Sequence, residues 1–397
     1  MLRCSIICIS QPLGAAGVDA YMPGLGETVA GLARGRKALK RAGSPGGGAG
    51  LAEIRGFGFN PGGLKMLAHV PQGLAPGAAL VVVLHGCTQD AAGYAHAAGW
   101  LTLADRLGFA VLAPEQVANN NPNRCFNWFE PEAVARGSGE AASIHAMVEH
   151  MVRAHKLDAQ RVFVTGLSAG GAMTAALLAA YPETFAAGAV IAGLPVGAAR
   201  NMQEAFGAMR SAGDLSGREL AAAVERAAPR APRRPRISVW HGGADATVSN
   251  SNGRALARQW AAVHGLGDQP DEIRSRPGWT RSLWRGPDGE VLVESNVLAG
   301  LGHGTPLAAI GDEGIGQAAP FMLEAGVSSS LEIARFWGLA PQPSATDAPW
   351  EAAQAPLAEA AGSASIGDGV LAAVSPHVSQ GIRRVIADAL GRAGLMP

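Results

Sequence analysis

The sequence predicts an α/β protein with a mostly parallel sheet flanked by helices. Two observations predict it. Short apolar runs alternate with helical stretches through the middle of the chain, and one apolar run turns directly into a helix between glycines at Gly166-Leu167-Ser168-Ala169-Gly170. The length of 397 residues accommodates one large α/β domain with tails, or two smaller domains.

Three regions follow from composition. Residues 1–50 read as a basic N-terminal helix, running from about Met22 through Arg34-Gly35-Arg36-Lys37, and a flexible linker at Ser44-Pro45-Gly46-Gly47-Gly48. Residues 51–340 read as the folded domain, with its pattern beginning near Ile54. Residues 341–397 read as a Pro/Ala-rich linker followed by an amphipathic helix with Val378, Ile382, Val385, Ile386 and Leu390 on one face.

Within the folded region the expected order is strand 67–70, strand 79–84, helix 91–107 and strand 109–113. A helix over 140–155, a strand over 161–165, a helix over 169–181 stopped by Pro182 and a strand over 187–192 come next. Residues 202–235 are helical and then rich in Pro and Arg, which marks an excursion from the core pattern. The pattern resumes with a strand at 237–240, a helix at 252–264 and a strand at 291–297, which should pair with 280–284 through the turn Gly286-Pro287-Asp288-Gly289.

Lys plus Arg and Asp plus Glu number 32 each, so no general attraction to phosphate backbones or anionic lipid is built in, and nucleic acid is not an expected partner. No apolar run reaches the roughly 18 to 20 residues of a membrane-spanning helix. Arg3 followed by Cys4-Ser5-Ile6-Ile7-Cys8-Ile9 resembles a shortened signal peptide without a clean cleavage site, and Met22 is an equal candidate start. The four cysteines lack the spacing of a metal site, while a Cys87–Cys125 disulfide would argue for an oxidising compartment.

Chemistry becomes visible at Ser168. Glycines two residues either side remove the Cβ atoms that would crowd a sharp strand-to-helix turn, leaving the hydroxyl exposed and the helix N-terminus beside it. A serine hydroxyl needs a base, and the base needs a carboxylate to orient it; in this architecture the chain order is Ser, acid, His. Of the later histidines, His264 falls in a helix and His377 beyond the linker, both at the surface, and His241 reads as a structural turn residue. His303, in Gly300-Leu301-Gly302-His303-Gly304-Thr305-Pro306 after the last strand, is therefore the candidate base. Asp245, just past the strand at 237–240, is the candidate acid; Asp268, Asp271, Asp288 and Asp312 fit the order or position less well. Expected oxyanion donors are the N–H groups of Ala169 and of Cys87, the latter in the loop after Val81-Val82-Val83-Leu84. His85 reads as a brace for that loop.

Together with Asn123-Arg124-Cys125-Phe126-Asn127-Trp128-Phe129, His85-Gly86-Cys87-Thr88-Gln89 and His241-Gly242-Gly243-Ala244-Asp245, these segments make the region from Gly56 to Leu339 resemble the extracellular short-chain poly(3-hydroxybutyrate) depolymerase family, related to feruloyl and acetyl xylan esterases. The resemblance implies an α/β-hydrolase fold, serine-ester hydrolysis of a polyester or small ester by Ser168, His303 and Asp245, and a Cys87–Cys125 disulfide. It further implies an extracellular or periplasmic location, with no cofactor and no metal. Trp128 and Phe129 are candidates for an apolar subsite wall. In two respects the chain departs from the family: nothing after Gln342 is long enough for a separate polymer-binding domain, and Gly304-Thr305-Pro306 stands where the family has an aromatic residue after the histidine. The rival readings are a carbohydrate esterase using the same residues, a hydrolase-fold binding protein without catalysis, and a C-terminal helix that docks on granules or membranes.

Overall fold

In a computed structural model the structure describes residues 50–310, 314–342 and 350–352. The predicted N-terminal helix and linker, Cys4, Cys8, Asp312, His377 and the C-terminal amphipathic helix lie outside the described residues. The elements below all belong to one compact unit ending at Glu351; of the second unit, Ala352–Pro397, only Ala352 is described.

The sheet is built from β1 (Ala52–Ile54), β2 (Lys65–His69), β3 (Leu80–Leu84), β4 (Ala110–Glu115), β5 (Val162–Leu167), β6 (Ala187–Ile191), β7 (Arg236–Gly242), β8 (Glu272–Arg276), β9 (Trp279–Arg285) and β10 (Val291–Leu298). Among these ten strands the order is β1-β2-β4-β3-β5-β6-β7-β10-β9-β8. The strands from β4 across to β10 are mutually parallel, while the pairs β1/β2, β2/β4, β10/β9 and β9/β8 are antiparallel.

Parallel strands in the middle are covered on both faces, so successive side chains of one strand enter different cores. Leu80, Val82 and Leu84 of β3 pack with Met147, Leu177 and Trp260, whereas Val81 and Val83 pack with Tyr94, Trp100 and Ile333. The first core is closed by helices α4 (Gly139–His155), α5 (Ala169–Ala180), α7 (Gly217–Ala227) and α8 (Ser251–Val263). The second is closed by α1 (Ala91–Ala97), α2 (Trp100–Leu107) and α9 (Ser329–Phe336). Two further helices are α3 (Pro131–Val134), whose Val134 packs against the first core, and α6 (Met202–Arg210), whose Ala205 packs with Phe129.

The structure corrects several expectations. The helix expected over 91–107 is two helices, because Gly99 adopts a left-handed φ of 83° and a Cβ there would come within 2.9 Å of the Gly316 nitrogen. Strand β8 went unforeseen: Glu272-Ile273-Arg274-Ser275-Arg276 carries no apolar pattern, and Glu272 is held by Arg274 and by Arg285 across the ladder. The segment after His303 is not wholly loop, since β11 (Thr305–Leu307) pairs in parallel with β12 (Met322–Glu324). His264 is half-buried rather than at the surface, with Nε2 3.0 Å from the Pro235 carbonyl oxygen.

Candidate active site

The C-terminal ends of β3, β5, β7 and β10 bring the chemistry together, as expected for an open parallel sheet. At the end of β5 the chain must reverse into α5 within one residue, and Ser168 takes a strained backbone with φ 57° and ψ −116°. Only glycine fits two residues to either side. A Cβ on Gly166 would collide with the Gly170 carbonyl, and one on Gly170 would approach the His85 carbonyl oxygen to 2.5 Å. The Ser168 N–H donates to the Ile191 carbonyl at 2.9 Å, which pins the turn to β6.

Three side chains form one line. Ser168 Oγ is 2.9 Å from His303 Nε2, and His303 Nδ1 is 2.7 Å from Asp245 Oδ2. An ionised carboxylate only accepts, so Nδ1 carries the proton and Nε2 is left to accept from the serine hydroxyl. The other carboxylate oxygen, Oδ1, accepts the N–H groups of Thr247 and Val248 at 2.8 and 2.9 Å. Burial works to raise the Asp245 pKa, but hydrogen bonds from His241 and His303 and the backbone outweigh it, holding the carboxyl well below the usual carboxylate range.

The loops that carry Asp245 and His303 are pressed together. Gly243 donates to the Leu298 carbonyl and Ala244 to the Leu301 carbonyl, at 2.7 and 3.0 Å. A Cβ on Gly242 would strike the Leu301 and Gly302 carbonyls, so the paired glycines before the acid allow this approach. His241 is no turn residue: it is buried near the end of β7, and its Nε2 donates to the Val248 carbonyl at 2.9 Å while lying 3.5 Å from Asp245 Oδ2.

Cys87 and Cys125 are joined by a disulfide. Among the described residues, the N–H groups of Cys87 and Ala169 donate to no protein acceptor. His85 is buried in the loop, where burial pushes its pKa down against the pull of the Gly86 hydrogen bond, so the ring is neutral at pH 7.

A shallow cavity of about 210 Å³, part of it open to solvent, is lined by Gly86, Cys87, Gln89, Leu167, Ser168, His303 and Phe321. Trp128 and Phe129 are not among these lining residues. Phe129 is buried against Ala199 and Ala205, and the half-buried Trp128 bridges that cluster to Ala172, Leu194 and Val248. Two lining residues escaped the sequence reading. Gln89 accepts from the Gly86 N–H at 2.8 Å and donates to the Pro320 carbonyl at 3.3 Å, tying the Gly86-Cys87 loop to the Phe321 segment. Phe321 stands edge-on to His303, with centroids 6.2 Å apart, and has a left-handed φ of 66°. Gln89 lies in the segment His85-Gly86-Cys87-Thr88-Gln89, while nothing local in the sequence marks Phe321. Among the described residues no group of three or more His, Cys, Asp or Glu side chains converges to hold a metal ion.

A mostly parallel sheet with a tight strand-to-helix turn at Ser168, and with Asp245 and His303 on loops at the same edge, has the form of the α/β-hydrolase serine ester hydrolases. The chain belongs to the Esterase PHB depolymerase family, whose model matches residues 66–282. It is 41% identical over 292 residues to poly(3-hydroxyalkanoate) depolymerase C of Paucimonas lemoignei, covering 73% of this chain and 70% of that protein. It is 32% identical over 265 residues to acetylxylan esterase A of Emericella nidulans, covering 64% of this chain and 84% of the relative. The solved acetyl xylan esterase from Aspergillus awamori superposes with a TM-score of 0.63 at 25% identity, over 74% of this chain and 100% of that one.

Proposed function

We propose that this enzyme hydrolyses short-chain polyhydroxyalkanoate esters, poly- or oligo-3-hydroxybutyrate, through an acyl-enzyme formed on Ser168. The single observation that carries the mechanism is the hydrogen-bonded line from Ser168 Oγ through His303 to Asp245. Ser168 Oγ attacks the ester carbonyl as His303 Nε2 takes its proton, and the Cys87 and Ala169 N–H groups receive the oxyanion. Collapse expels the alcohol, protonated by His303. Water then attacks the acyl-enzyme with His303 again as base, releasing the acid and restoring Ser168.

The polyester preference is supported by the likeness to the Paucimonas lemoignei depolymerase. The second reading, an acetyl or feruloyl carbohydrate esterase, is favoured by the similarity to the acetylxylan esterases. An extracellular or periplasmic site of action is supported by the Cys87–Cys125 disulfide. Among the described residues no helix is long and apolar enough to cross a membrane.

Rates on 3-hydroxybutyrate oligomers, methyl ferulate and acetylated xylan, with Ser168→Ala as control, test the assignment. The oligomers should be turned over fastest, and loss of the hydroxyl should reduce turnover about 10⁶-fold. No turnover of the oligomers would remove the polyester reading. Failure of Ser168 to label with a fluorophosphonate would instead favour the non-catalytic one.

A further inference from the structure

Glu140, the second residue of α4, is a carboxylate only 3% exposed. Among the described residues no Lys or Arg pairs with it; its partners are neutral donors. Gln116 Nε2 and Asn127 Nδ2 reach Oε1 at 2.6 and 2.8 Å, and the Asn127 backbone N–H reaches Oε2 at 2.9 Å. Burial pushes its pKa up to about 7 against the pull of these bonds. An ionisable group desolvated in this way is an unfavourable choice where simple packing would do.

From Glu140 two arms run to the Cys87 peptide. In the first, the Gln116 backbone N–H donates to His85 Nε2 at 3.1 Å, and His85 Nδ1 therefore carries the proton that it donates to the Gly86 carbonyl at 2.8 Å. The Gly86 C=O and the Cys87 N–H belong to one planar peptide, so fixing the oxygen fixes the direction of the N–H. In the second arm, Asn127 Oδ1 accepts from Asn121 Nδ2 at 2.9 Å, and Asn121 Oδ1 in turn accepts from Asn123 N at 3.0 Å. The Asn123 carbonyl accepts the Thr88 N–H at 2.6 Å, and Cys125 of the same segment is bonded to Cys87.

We propose that Glu140 is the positioning residue for the oxyanion loop, its carboxylate joining the two arms that orient the Cys87 N–H. This rests on the reading of Ser168 and Cys87 given above.

Glu140→Gln would turn an amide N–H toward the Asn127 N–H, removing that acceptor while keeping the volume. With p-nitrophenyl butyrate, kcat should fall about 10- to 100-fold while KM stays within about twofold, because an oxyanion donor acts in the transition state more than on bound substrate. Asn121→Ala cuts the second arm at its loop end, and it reads the same split if Glu140→Gln does not fold. Met147→Ala, in the same helix but facing the core, is the control: it should lower the melting temperature at near wild-type kcat. Kcat within about twofold of wild type in Glu140→Gln, or in Asn121→Ala if only that one folds, would overturn the proposal, as would a kcat loss that merely follows melting temperature as in Met147→Ala. Wild-type protein that neither hydrolyses the ester nor labels at Ser168 would overturn the site assignment itself, and this inference with it.

Discussion

His303 Nδ1 and Asp245 Oδ2 stand 2.7 Å apart on loops that leave the neighbouring parallel strands β10 and β7. The pair is set by backbone contacts between those loops as much as by its own hydrogen bond, since Gly243 and Ala244 donate to Leu298 and Leu301. Asp245→Asn keeps that shape but allows the imidazole the wrong tautomer. Its kcat on a p-nitrophenyl ester should drop about 10³- to 10⁴-fold with an unchanged fold by circular dichroism.

The same carboxyl has a pH signature. Its folded-state pKa is depressed, so its contribution to stability is complete above the unfolded value of about 3.9 and is lost as pH falls below it toward the folded value. Melting temperature of the wild type should therefore fall on acidification below about pH 4, and that of Asp245→Asn should fall less over the same window. Parallel acid profiles for the two proteins would contradict this.

The elbow gives a steric prediction. Gly170→Ala places a Cβ against the Leu84 and His85 carbonyls, which are held in the β3 end and the loop that follows it and cannot rotate away. Overpacking of this kind costs about 1–3 kcal/mol, so the variant should melt lower and lose most of its activity together. Normal activity at normal stability would show that the elbow relaxes freely.

What could be read from the chain, and what could not, follows from where each signal resides. Ser168, Asp245 and His303 are legible because a local turn signature combines with a required chain order, and the structure sets the three side chains in one line. Central strands such as Leu80–Leu84 are legible because burial on both faces demands continuous apolar runs. Strand β8 is illegible because ion pairs and ladder bonds, not a fully buried apolar face, hold it half-buried, and Gly99 because its break is imposed by Gly316, far along the chain. Glu140, Gln89 and Phe321 escaped for a common reason: their partners are assembled only by tertiary folding, at separations no local pattern records.

The disulfide should matter to catalysis as well as to stability. Cys87 and Cys125 close a loop with a sequence separation of 38, for which the chain-entropy account gives about 4 kcal/mol. Cys125→Ser should thus lower the melting temperature by several degrees, on the order of that loss. Because Cys87 also supplies a proposed oxyanion donor, kcat should fall more than KM rises. Equal kcat in oxidised and reduced wild-type protein would show that the hydrogen bonds alone hold the loop.

Phe321 sets a specificity prediction. Its ring walls the cavity beside His303, and its left-handed backbone is one that an aromatic residue rarely adopts. Phe321→Ala removes the wall, so kcat/KM for p-nitrophenyl butyrate should fall about 10-fold relative to wild type while the octanoate ester gains on it, each methylene in an apolar pocket being worth about 1–3 kcal/mol. Phe321→Gly opens the same space but also relieves the backbone, and it should melt higher than Phe321→Ala by an amount matching about 0.5–1 kcal/mol. The two substitutions separate the roles of the residue: a shared change in chain-length preference belongs to the lost ring, and the difference in melting temperature belongs to φ. If both variants keep the wild-type preference for butyrate over octanoate, the limit on acyl length lies elsewhere in the cavity, with Leu167 the remaining large apolar side chain in its lining.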